Sequence, residues 1–163
     1  MDITQEHLHS YIYTEGEGKK CSNNVSSLIM HYLTSNVVEP GVINKELNVI
    51  MDNCGGQNKN KTVIRLGAYL QELGWFQDVN LIFLVKGHTK NVADRHFNLM
   101  KQDWRKRDVY FFDDCMLHLN NNSNVTVLHA KGLFYAYHDF LSSFFKDPFP
   151  GHIHNYHYFG FIK

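Results

Sequence analysis

The residues with most chemistry to offer gather around Asp52, in Leu47-Asn-Val-Ile-Met-Asp52-Asn-Cys-Gly-Gly-Gln-Asn-Lys-Asn-Lys-Thr62. A short apolar run rich in β-branched residues reaches an acid, breaks at Gly55-Gly56 and resumes with helical spacing to Leu73, which predicts strand, loop and helix. In an open α/β sheet, ligands bind beyond the carboxyl ends of the strands, and Asp52 stands on that rim. A second acid, Asp94, lies in Gly87-His-Thr-Lys-Asn-Val-Ala-Asp94-Arg-His-Phe97, within the first turn of an expected helix facing the same rim. Acids gathered there hold a hard cation, while lysines and arginines around them neutralise a phosphate backbone. Lys59, Lys61, Lys90, Arg105, Lys106 and Arg107 lie in the middle third of the chain and suit that second task.

The whole chain sets the bounds. With 163 residues and 44% hydrophobic content there is enough material for one domain with a real core, and a single domain over 1–163 is expected. A formal net charge of zero conceals a basic middle third between acid-rich ends. Neither a run of about 18 apolar residues nor a signal-like first twenty residues is present. The expectation is therefore an intracellular protein, in the nucleus or another compartment, neither secreted nor bound to a membrane. Cys21, Cys54 and Cys115 are odd in number and lack paired spacing, so they read as reduced thiols rather than a disulfide framework or a zinc site.

The elements that must position the acids follow in order. Residues 8–14 read as a strand ending at Glu15-Gly-Glu-Gly18. Ser22 or Asn23 is the expected N-cap of a helix with Val25, Leu28, Ile29, Tyr32 and Leu33 on its apolar face, stopping near Asn36 before Pro40-Gly41. After Asp52 a helix over about 59–73 places Val63, Leu66 and Leu70 together, and Gly74 ends it. Val79–Lys86 is an almost unbroken apolar run, expected as a strand buried on both faces and parallel to the one ending at Asp52. A third helix, capped by Thr89 or Asn91, should bury Ala93, Phe97, Met100 and Trp104. Later segments read as a strand at 109–112, a helix at 113–119, a strand at 125–128, a helix at 131–145 and an edge strand over the last ten residues.

Asp52-Asn-Cys-Gly-Gly-Gln-Asn-Lys-Asn60, with Gly87-His-Thr-Lys-Asn91 and Asp94-Arg-His-Phe97, resembles an uncharacterised transposon-associated family related to DDE transposases and integrases of the RNase H-like fold. The resemblance runs from about Tyr11 to Arg107. It implies an α/β fold with a partial RNase H-like core at 8–107, first strands missing, parallel central strands flanked by helices, and a C-terminal extension at 108–163. It matches Asp52 to the acid ending the fourth core strand and Asp94 to the acid of the last core helix. Two metal ions about 4 Å apart would then drive phosphodiester chemistry, with Mg²⁺ or Mn²⁺ as cofactor and DNA as partner. His88, Gln57, Asn58 and Arg95 are the supporting residues of such a site.

Two departures from the pattern bear on activity. The core's first acid belongs to a strand this chain lacks, and Asn24 stands where the family tends to carry a glutamate. Glu15 is the nearest replacement ligand, and metal binding is expected to be weak. The intact ancestor would be the nuclease and this chain an inactive piece of it. One alternative is a non-catalytic DNA-binding or protein-interaction remnant. Another is a nucleotide-binding loop, since Gly55-Gly-Gln-Asn-Lys-Asn-Lys61-Thr62 is one residue from GxxxxGK[ST], Asn60 replacing the second glycine. The histidines of His152-x-His154-x-x-His157 read as ordinary surface residues beside an aromatic strand.

Overall fold

The computed structural model describes residues 7–85, 98, 101–102, 104–106, 108, 111–119, 125–145 and 152–162. The elements run β1 (Leu8–Ile12), α1 (Ser22–Asn36), β2 (Asn44–Met51), α2 (Lys61–Glu72), β3 (Phe76–Phe83), α3 (Phe112–Leu119), β4 (Val125–His129), α4 (Tyr137–Phe144), a 3-10 turn (Ile153–Asn155) and β5 (Tyr158–Ile162). The protein is an α/β fold whose chain divides into two compact units. One is Met1–Glu17 with Lys90–Lys131, the other Gly18–Thr89 with Gly132–Lys163.

In the first unit β1 pairs in parallel with β4, from Leu8 opposite Val125 to Ile12 opposite His129. Alternation along both strands turns Leu8, Val125 and Val127 inward, where Cys115 and Leu119 of α3 complete a small core. Asp113 and Asp114 in the first turn of α3 favour its N-terminal dipole, and Asp114 accepts from the Phe111 N–H at 3.1 Å. Phe112 therefore opens the helix rather than closing a strand. Glu17 fastens the turn after β1. Its carboxylate accepts from the Thr14 N–H and hydroxyl, both at 2.9 Å, and pairs with His129 Nε2 at 2.9 Å. The His129 bond first, and the Thr14 N–H next, hold the Glu17 carboxyl down at about 2. Of the third helix expected from Thr89 or Asn91, Ala93, Phe97 and Met100 lie outside the described residues. Trp104 is 44% exposed, so it does not belong to a buried face.

The second unit carries a mixed sheet in the order β2-β3-β5, with β2 parallel and β5 antiparallel to β3. Val79, Leu81 and Phe83 of β3 face the helices. Above them lie Val63, Leu66 and Leu70 of α2, Leu33 of α1 and Leu141 of α4. Spacings of three and four residues put the α2 positions on one side, as the sequence predicts. Gly67 sits on that side because nothing larger fits: a Cβ there would stand 2.5 Å from Phe161 Cε2 and 2.9 Å from Leu81 Cδ1. Gly74 ends α2 with φ 68, a left-handed turn that glycine takes at little cost.

The other face of the sheet differs from the expectation of a strand buried on both sides by packed helices. Glu46, Asn48 and Ile50 of β2 are exposed, alternating with half-buried Leu47, Val49 and Met51. On β3 the buried outward residue is Asn80, whose amide donates to Glu46 at 2.8 Å and Asn48 at 3.1 Å while accepting from the Tyr158 hydroxyl at 2.6 Å. Side-chain hydrogen bonds across three strands, rather than apolar cover, shield it. The segment expected as a C-terminal extension supplies both β5 and α4 to this unit, and residues 131–136 form a turn and loop instead of helix. Gly132, at φ 77, accounts for that delayed helix start.

Candidate functional site

Asp52 follows the last residue of β2, at the carboxyl end of the parallel β2–β3 pair. The chain then makes a compact turn held by one acceptor. The Cys54 carbonyl receives the N–H groups of Gln57 at 3.3 Å, Asn58 at 2.8 Å and Lys59 at 2.9 Å. That turn brings the Asn58 side-chain amide back onto Asp52 Oδ1, which also accepts from the Cys54 N–H at 3.4 Å. The exposed carboxylate is thus braced through one oxygen. Its other oxygen has no hydrogen-bond partner among the described residues.

The far end of the loop is fixed by two side chains. Asn60 is the N-cap of α2: its carbonyl oxygen accepts from the Val63 N–H at 3.2 Å, and its amide donates to Gly55 and Gln57 carbonyls at 3.3 and 3.0 Å. This side chain fills the helix N-terminus that a nucleotide phosphate would have to occupy, which is the physical objection to a phosphate-binding loop here. Lys59 is 1% exposed and donates from Nζ to the His154 carbonyl at 2.9 Å, with the Phe83 ring centroid 5.8 Å away. Burial lowers its pKa. Expected as a surface contact for nucleic acid, Lys59 is instead an internal tie between the loop and the 3-10 turn, because its stem runs inward over Phe83.

The remaining expected residues fall as follows. Lys61 is exposed at the first position of α2, and Arg105 and Lys106 are exposed in the first unit. Glu15 is an exposed turn residue of the first unit, beside the Glu17 clasp. Gln57 takes part through its backbone, and Asn58 supports Asp52 directly. Asp94, His88, Arg95, Lys90 and Arg107 lie outside the described residues.

A hard divalent ion takes carboxylate, amide and water oxygens, and the free oxygen of Asp52 is of that type. One carboxylate does not complete a site, and among the described residues no three His, Cys, Asp or Glu side chains gather in a metal-binding arrangement. Two of the C-terminal histidines, His154 and His157, make structural contacts. His154 contributes its carbonyl to Lys59, and His157 Nδ1 donates to the Phe83 carbonyl at 3.0 Å. The helix expected over about 59–73 put Asn60 inside it, whereas Asn60 caps α2 from outside; an asparagine just before Lys61-Thr62-Val63 is the local signal that marks such a cap. The partnership of Lys59 with His154 spans 95 residues and has no local signature.

Compared with models of protein families, residues 3–163 match the one described as a domain of unknown function, DUF7869. The chain belongs to that family. The match takes in both compact units, so the DUF7869 domain includes the β1–β4 pair as well as the β2-β3-β5 sheet. No curated protein and no solved structure matches the chain. Among the described residues, no helix of this DUF7869 domain is long and apolar enough to cross a membrane.

Proposed function

We propose that this chain is a nucleic-acid-processing domain of transposase or integrase descent, with an RNase H-like core whose metal-dependent phosphodiester chemistry belonged to an intact ancestor. The observation that carries the reading is Asp52, exposed at the carboxyl end of a parallel strand and braced by Asn58 with one oxygen left open. The other edge of β2 has no strand paired to it among the described residues. Lys61, Arg105 and Lys106 are exposed cations of the kind a phosphate backbone attracts. Mg²⁺ or Mn²⁺ would supply Lewis acidity; Asp52, and by the motif resemblance Asp94, would hold it.

Asn24 favours the inactive form of this proposal. It is buried, neutral and turned back on Cys21, whose thiol donates to it at 3.6 Å, so it adds no charge for a cation. The chain alone is therefore expected to bind Mn²⁺ weakly, to bind DNA in a salt-sensitive way and not to cut it. Plasmid nicking with Mn²⁺, run beside Asp52→Asn and Asp94→Asn, tests this. Nicking by the wild-type chain that both variants lose would show a working site and overturn the incomplete-core proposal. Mn²⁺ affinity that is unchanged in Asp52→Asn would remove Asp52 from any metal site.

A further inference from the structure

Helices α1, α2 and α4 cover one face of the β2-β3-β5 sheet, whereas the apolar side chains of its other face stand open. Ile50, Tyr158 and Ile162 are exposed there, at 45%, 57% and 77%, and half-buried Ile82 packs against none of the unit's core residues. Parallel strands are ordinarily covered on both faces. Strand register sets the open face in rows. Glu46, Asp78 and Ile162 stand side by side at one end, Asn48, Asn80 and Gly160 in the middle, and Ile50, Ile82 and Tyr158 at the other end.

Glu46 and Asp78 are like charges on directly paired positions, an arrangement that costs stability, and neither is paired with a cation among the described residues. A chain of hydrogen bonds orders the rows. The Tyr158 hydroxyl donates to Asn80 Oδ1 at 2.6 Å, and the Asn80 amide donates to Glu46 Oε1 at 2.8 Å. Tyr158 leans back over Gly160, where an added Cβ would stand 2.9 Å from its Oη and 3.1 Å from its Cε1. An exposed aromatic ring therefore lies beside an ordered carboxylate, and a guanidinium suits that pair because it stacks on the one and forks onto the other.

Charge decides what such a face can take. Its acid row repels a nucleic-acid backbone. A second copy fits no better: a two-fold axis set along the strands lays acid row on acid row, and one set across them lays acids on isoleucines. A partner carrying cations is complementary. Three strands about 4.8 Å apart present a width of about 10 Å, which is that of one helix. The isoleucine and acid rows are four residues apart along β2, as Glu46 and Ile50 show, or about 13 Å, which a helix covers in about nine residues.

We propose that the open face of the β2-β3-β5 sheet docks a basic amphipathic helix of a partner protein, with an apolar side chain on Ile50 and Ile82 and an arginine against Tyr158, Glu46 and Asp78. This face needs nothing from Asp52 and nothing from a metal.

NMR titration of the full chain with a synthetic alanine-based helix of about 18 residues tests it, the peptide carrying leucines near one end and arginines about nine residues further along the same side. The Ile50 and Ile82 methyl signals and the Asn80 side-chain N–H₂ should shift saturably with this peptide, and not with a copy that has glutamates for arginines. Glu46→Gln/Asp78→Asn keeps shape and hydrogen bonding while removing both charges, and should weaken binding about tenfold. Ile50→Thr, exposed and still β-branched, should weaken it several-fold, which keeps the test open if the double variant does not fold. Signals of this face that ignore the arginine helix, equal binding of the glutamate helix, or affinity undiminished in both variants overturn the proposal. A DNA duplex that moves the same signals overturns it too, as does a dimer of the wild-type chain in sedimentation that Ile50→Thr abolishes, since a second copy would then be the occupant.

Discussion

Replacing Gly67 by alanine sets two known effects against each other. An alanine in place of glycine inside a helix is worth about 1 kcal/mol from propensity alone. The new methyl carbon, however, would lie 2.5 Å from Phe161 Cε2 and 2.9 Å from Leu81 Cδ1, roughly 1 Å inside ordinary carbon contact at about 3.5–4.0 Å. Leu81 is 2% exposed and cannot retreat, whereas Phe161 is half-buried on the edge strand β5 and can turn at some loss of packing. Forcing a methyl into a filled core costs about 1–3 kcal/mol, so the net expectation is a loss of about 1 kcal/mol, or about 2–4 °C in Tm for a chain of this size. Urea unfolding followed through Trp75, which packs against the same core, measures it. Gly67→Ala combined with Phe161→Leu should recover part of the loss, since the nearest obstacle is then smaller. A single Gly67→Ala variant as stable as wild type, or more so, would refute the claim that α2 lies on β3 and β5 at this glycine.

Two further outcomes follow from buried or paired charges. Because the Glu17 carboxyl is held down from 4.5 to about 2, its stabilising contribution is complete above pH 4.5 and is lost as pH falls through about 2. Glu17→Gln should therefore flatten the fall of the thermal midpoint across that interval, and an unchanged acid slope would remove the Glu17–His129 clasp as its cause. Lys59→Ala should cost about 2–4 kcal/mol, from a charged hydrogen bond to His154 and the buried stem, while Lys59→Met, which keeps the stem, should cost about 1 kcal/mol. Equal losses in parallel urea melts would mean that the ammonium contributes everything and the stem nothing.

Local patterns in the sequence were sufficient where one element carries its own periodicity and stop signals. Helical spacing of Val63, Leu66 and Leu70, the stop at Gly74 and the end of α1 at Asn36 all appear in the structure. Residue types point to Ser22 or Asn23 as the N-cap of α1, whereas the helix starts one or two residues earlier from Cys21, a poor cap by type that makes no side-chain cap hydrogen bond. The run from Val79 suggested a strand continuing to Lys86, yet β3 begins at Phe76, whose aromatic ring enters the core before the apolar run starts. Lys59 read as a surface cation because nothing in its neighbours reveals His154 and Phe83, which reach it only through the fold. For Asp52 the strand-loop position was legible, but its bond to Asn58 depends on the turn closed by the Cys54 carbonyl.

The division of the chain at residues 17, 89 and 131 has a consequence for how the protein is made. β1 leaves the ribosome well before its parallel partner β4, which is encoded over a hundred residues later, as the 119-residue span between His7 and Thr126 illustrates. The β2–β3 pair likewise waits for β5 to cover Leu81 and Phe83. Neither unit can close on a growing chain until β4 and β5 have left the ribosome, and loops of this length make closure slow. During that interval the apolar faces of β2, β3 and α2 stand open together. Fragments cut between the units in sequence order should therefore be recovered as aggregates rather than as folded halves.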